Sequence, residues 1–169
     1  MTLTGTSLDL ARLDGCPFGV TAPEQLRPVA EALVVEMGGE PVWVEEGARA
    51  LYHAALAHGA NHLVTLVAQT LDLLKAAGVE HPARLAAPLL SAALDNALRH
   101  GDAALTGPVA RGDAGTVAAH IEAIGAVSPQ ARAAYVALAR TTADRALAAG
   151  TLRATAAEAL LDVLAKEAR

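Results

Sequence analysis

The stretch Tyr52-His53-Ala54-Ala55-Leu56-Ala57-His58-Gly59-Ala60-Asn61-His62-Leu63-Val64-Thr65-Leu66 lies inside a helical pattern that runs from Glu45 to Ala77. Ala and Leu dominate it, and both hold a helix at little cost in side-chain entropy. Glu45 and Glu46 stand at its start, where the helix macrodipole favours negative charge. Gly78 stops it. The pattern predicts a helix of about 30 residues, about 45 Å at 1.5 Å rise per residue. From Leu63 to Leu74 the apolar residues almost encircle the axis, which predicts burial on more than one side. A long helix buried in that way forms the spine of a bundle or of a dimer.

Towards the C-terminus the helical reading continues. Pro82 opens a second helix that runs to about His100 and stops at Gly101. Residues 102–115 read as a loop by their glycines and proline. Thr116 to Ile124 reads as a short helix. Ser128-Pro129 is an N-cap with proline at the first helical position, and the helix it opens ends at Gly150. Thr155 and Glu158 form a capping box for a last helix.

Towards the N-terminus the pattern changes. Pro17-Phe18-Gly19-Val20 reads as a short strand, Thr21 and Pro23 announce a helix with Thr21 or Ala22 near its cap, and Gly38-Gly39 ends it. Pro41-Val42-Trp43-Val44 reads as a second strand. Two short strands with one crossover helix cannot satisfy their own edges. Residues 1–44 are therefore expected to be the remnant of a larger sheet that continues upstream, and residues 45–169 an all-helical domain. The fold class is mainly α: a helical bundle around a long central helix, preceded by a β-α-β segment.

Composition narrows the function. The chain has 169 residues, enough for one domain with a real core. Apolar residues make up 53% and aromatics 2%, which favours helices over sheets. The net charge is −5 and Lys and Arg form no cluster, so the electrostatic footprint of a nucleic-acid binder is missing. Cys16 is the sole cysteine, so no internal disulfide can form; it reads as a small buried hydrophobe. The first 15 residues show no signal peptide. Thr65, Gln69, Asp72 and Lys75 break the apolar run Leu63–Ala77, which excludes it as a membrane span. These features describe a soluble, cytoplasmic protein with no membrane partner.

Two segments carry polar residues that a bundle does not require. In the long helix, His53, Ala57 and Asn61 fall on successive turns within ~80° of one another, so His53 and Asn61 can address one cleft. Imidazole is the common acid/base group near neutral pH, and an amide can orient a carbonyl or hydroxyl. The same two residues can equally be satisfied polar groups in a helix interface. His58 and His62, four apart, lack a third metal ligand. The second segment is Thr106-Gly107-Pro108-Val109-Ala110-Arg111-Gly112-Asp113. Arg111 can clamp a carboxylate or phosphate. Asp113 can hold Arg111 or cap the helix that begins near Thr116. His120, one turn further, can face the same cleft or solvent. No glycine-rich phosphate cradle or Walker loop is present.

The Tyr52-His53-Ala54-Ala55…Asn61 helix, together with Leu105-Thr106-Gly107-Pro108-Val109-Ala110-Arg111-Gly112-Asp113, Thr116 and His120, resembles the signature of domain-of-unknown-function family 2520. The resemblance implies the C-terminal helical half of a Rossmann-like oxidoreductase, similar to the C-terminal domains of 6-phosphogluconate dehydrogenase and ketopantoate reductase. It implies that Phe18–Val44 is the last strand–helix–strand of a Rossmann domain, with Met1-Thr2-Leu3-Thr4-Gly5 continuing a loop from an earlier strand. It implies reduction of a small 2-oxo acid, ketopantoate-like, by NADP or NAD cofactors bound upstream of Met1. His53 would then be the acid/base, Asn61 would hold the substrate oxygen and Arg111 its carboxylate. Asp113 would orient Arg111, with Thr106 and His120 also contacting substrate. Ketopantoate reductases use a Lys on the corresponding helix, whereas no Lys occurs between residues 1 and 74 here. The rival expectation is a non-catalytic helical dimerisation or scaffold module; in either case the apolar long helix predicts a homodimer.

Overall fold

A computed structural model describes residues 5–166. The expectation for residues 1–4 lies outside them. The chain is mainly helical, with a two-stranded parallel sheet near its N-terminus. It divides into two compact units, residues 1–64 and 65–169, and one long helix runs through the division.

The first unit opens with a six-residue helix that the sequence reading did not anticipate, α1 (Leu8–Leu13). Asp9 secures it by accepting hydrogen bonds from the N–H groups of Gly5 (2.7 Å) and Thr6 (3.3 Å). Strand β1 (Pro17–Val20) pairs in parallel with β2 (Glu40–Trp43), Phe18 standing opposite Pro41 and Val20 opposite Trp43. The crossover is a 3₁₀ turn, Glu24–Leu26, followed by α2 (Arg27–Glu36). Thr21 does not cap this helix. Its hydroxyl donates to the Val44 carbonyl at 2.7 Å, which ties together the two strand ends. Gly38, at φ +79°, ends α2 in the left-handed conformation that glycine adopts without a Cβ penalty. Among the described residues no third strand joins the sheet, so each strand has one unpaired edge. Cys16 is half-buried rather than fully enclosed.

Helix α3 (Arg49–Ala76) is preceded by a 3₁₀ turn, Glu46–Ala48, so the α-helix itself begins four residues after Glu45. It has no buried residue along its 28 positions. The expected burial on several sides is not met among the described residues: every position of α3 is exposed or half-buried. Helix α4 (Pro82–His100) follows and buries only Ala86. Leu85, Leu89, Leu94 and Leu98 of α4 stand open to solvent, Leu98 at 79% exposure.

The core of the second unit lies further on. A 3₁₀ turn, Gly101–Ala104, leads to α5 (Gly107–Arg111), α6 (Ala114–Val127), α7 (Pro129–Ala148) and α8 (Ala154–Lys166). Residues 107–111, read from sequence as loop, are helical because Val109 and Ala110 are drawn into the core. Val117 and Ile121 of α6, Ala139, Ala143 and Ala146 of α7, and Leu160 and Leu164 of α8 complete that core. Small residues dominate α7 and let its neighbours approach closely. Ser128 caps α7 as expected, its hydroxyl accepting from Ala131 N–H at 3.1 Å. The Thr155 capping box is not formed. Helix α8 begins at Ala154, with the Arg153 carbonyl accepting the first helical bonds, which puts Thr155 inside the first turn. No helix among the described residues is long and apolar enough to cross a membrane.

Candidate functional site

In the first unit, a cavity of about 240 Å³ opens at the carboxyl ends of β1 and β2. Gly19, Thr21, Val44, Arg49, Tyr52 and His53 line it. Gly19 lets the Tyr52 ring lie close against β1: a Cβ there would stand 2.6 Å from Cζ of Tyr52, and the ring would have to shift to admit a side chain. The first turns of α3 supply Arg49, Tyr52 and His53 together, because residues three and four apart share a helix face. Arg49 was not singled out from sequence, and Thr21 was read only as a helix cap. Their place in the cavity follows from the parallel pairing that sets the two strand ends beside the start of α3. Asn61 lies two turns beyond His53 on the same helix. His58 and His62 meet through their Nδ1 atoms at 2.9 Å, with the rings edge to face, and have no third ligating neighbour among the described residues.

In the second unit, the Thr106–Asp113 segment is fixed by three devices. Thr106 is extended and starts α5, but its hydroxyl makes no capping bond. Gly112 has φ +73°, and a Cβ on it would meet the Ala156 side chain at 2.6 Å, so both conformation and close packing demand glycine. Asp113 caps α6. Its carboxylate accepts from Thr116 N–H at 3.0 Å and from Thr116 Oγ1 at 2.7 Å. These two bonds hold its carboxyl below the usual aspartate value, with a smaller contribution from the positive charge of Arg111. Of the two sequence alternatives for Asp113, the cap is what the structure forms. Arg111 is exposed at the end of α5.

Thr106 and His120 come together at a larger cavity of about 400 Å³, bounded by the C-terminal half of α3 and by α5, α6 and α7. His120 Nδ1 shares a hydrogen bond of 3.1 Å with the hydroxyl of Tyr135, the rings again edge to face. Partial burial pushes the Tyr135 phenol up from its ordinary value. Tyr135 escaped the sequence reading because its partner is 15 residues away on another helix. Arg111 and Asp113 do not line this cavity. His53 and Asn61 belong to the first unit, and Thr106, Arg111, Asp113 and His120 to the second.

Fold and sites together define a mainly helical protein with a small parallel sheet and a polar cluster in each unit. The chain belongs to the family described as Domain of unknown function (DUF2520), whose model matches residues 16–142. The match takes in the β1–α2–β2 segment as well as the helices up to α7. No curated protein and no solved structure matches the chain.

Proposed function

We propose that the chain is the helical, substrate-side part of an NAD(P)H-dependent oxidoreductase, cytoplasmic, that reduces a small ketopantoate-like 2-oxo acid. The observation that carries the reading is the place of His53. It lines a cavity at the carboxyl ends of two parallel strands, where α/β sheets bind their ligands. In this reading His53 gives a proton to the alkoxide oxygen formed from the substrate carbonyl, and Asn61 holds that oxygen. Arg111 is the carboxylate-binding candidate that the family resemblance gives. Asp113 sets the course of the backbone after Arg111 by capping α6. Arg49 is a second cation, in the same cavity as His53.

The described residues do not fit a dinucleotide cradle. The turn after β1 is Thr21-Ala22-Pro23, without glycine, and it leads to Glu24. The proposal therefore has NADP or NAD held outside residues 5–166. The test is turnover of 2-oxo acids by the protein together with its dinucleotide domain. His53→Ala and Arg111→Ala are each expected to lower kcat/KM by about 100-fold or more. Wild-type rates in both variants would overturn the reading. Micromolar binding of NADPH by residues 1–169 alone would overturn the location of the cofactor.

We also propose that the chain is a homodimer through α3 and α4. Leu51, Leu56, Leu63 and Leu66 of α3 and Leu85, Leu89, Leu94 and Leu98 of α4 stand exposed, and a second copy is the surface proposed to cover them. The same observation favours the second reading, a non-catalytic helical dimerisation module, and the turnover assay separates the two.

A further inference from the structure

The geometry points to a second small-molecule site, the cavity of the second unit, which takes an uncharged ligand with a compact apolar body and more than one hydrogen-bonding group. Its volume, about 400 Å³, lies in the range of small-molecule pockets. Leu66, Leu73, Val109, Ile124 and Leu138 give it apolar walls. Into those walls are set polar groups that the protein itself leaves unused. The Thr106 hydroxyl stands at a helix start without capping it. Gln69 and Thr142 line the cavity and make no side-chain hydrogen bond of their own. The His120–Tyr135 pair consumes one bond internally, which leaves His120 Nε2 and the second valence of the Tyr135 oxygen for a ligand. A surface meant only to receive another helix has no need of this set.

The lining also says what the ligand is not. It contains no Asp, Glu, Lys or Arg. An ionised carboxylate or phosphate placed there would lose hydration without meeting a Lys or Arg countercharge in the lining. Alcohols, ketones and amides lose far less and can use the hydroxyls and the Gln69 amide. This distinguishes the cavity from the acid-binding groups of the proposed reductase, Arg111 and Arg49, neither of which lines it. The inference does not rest on hydride chemistry, and either reading can fail without the other.

The test is NMR titration of the His120 and Tyr135 ring resonances at pH 8, assigned with His120→Gln and Tyr135→Phe. Cyclohexanone and benzyl alcohol are the uncharged probes; cyclohexanecarboxylate and benzoate are their charged counterparts. The uncharged pair should shift both rings saturably, and the carboxylates should bind at least about tenfold more weakly. Tyr135→Phe should weaken cyclohexanone by about fivefold, the scale of one lost hydrogen bond. Leu138→Trp, at a half-open position on the wall, should fill the cavity and abolish the shifts with helical content unchanged. Absence of saturable shifts overturns the inference. So does equal binding of the carboxylates, unchanged binding after Leu138→Trp, or binding only in a variant that cannot associate, which would mean that a second copy fills the cavity.

Discussion

Two stretches of almost the same composition meet opposite fates in this molecule. Helices α3 and α4 are rich in Ala and Leu and bury one residue between them, whereas α7 and α8, built from the same residue types, bury eight. Helix propensity is local and acts equally in both. Burial depends on what lies opposite, and among the described residues α5–α8 pack on one another around the core. An apolar stripe is thus a statement about a neighbour, and the proposed dimer would supply that neighbour for α3 and α4.

The sharpest way to break this comparison is to charge the open stripe. Leu89→Glu with Leu98→Glu, at 72% and 79% exposure, should cut the sedimenting species to the monomer mass of 17.1 kDa. It should also remove any dependence of Tm on protein concentration. A wild-type chain that already sediments as a monomer would sink the dimer. Next in size, Leu160→Ala in α8, fully enclosed, should cost about 2–5 kcal/mol in urea unfolding, as core cavities do. The same change at Leu85, 59% exposed, tested in that monomeric background should cost under about 0.5 kcal/mol. Equal costs at the two sites would mean that the contrast in burial has no energetic meaning.

A smaller effect tests how the second cluster is held. Gly112→Ala meets both a positive φ and the Ala156 side chain and should cost about 1–3 kcal/mol. Gly78→Ala, also at positive φ but facing open space, should cost less. The smallest effect is the Asp113 cap. Its folded pKa is lowered, so its contribution is complete above the ordinary value of 3.8 and is lost as pH falls through the folded value. Wild-type Tm should therefore fall more steeply than that of Asp113→Asn between about pH 5 and pH 2. Parallel curves would show that the carboxylate charge adds nothing to the cap.

Much of the fold was legible because its punctuation is local. Gly78, Gly101 and Gly150 end helices at positive φ, and Pro82 and Pro129 open them, as the residue types alone require. The β-α-β segment was legible from two apolar runs and a glycine stop. What was not legible depends on tertiary contact. Val109 and Ala110 become helical because a core receives them, and Thr155 loses its cap to a helix start one residue earlier. Of the candidate site, His53 and His120 were visible as chemistry looking for a cleft. Tyr135 and Arg49 were not, since nothing in their own neighbourhoods couples them to those histidines; the pairing of helices and strands does.

The alanines of α7 set a limit on how this protein can change. Ala143 and Ala146 are sealed on every side, so any larger side chain there must push a helix away, while glycine would loosen α7 itself. Sequence drift at these positions has almost nowhere to go. Variation in the second unit should therefore be channelled to the leucines outside the core, where an altered surface would change the company the chain keeps rather than its fold.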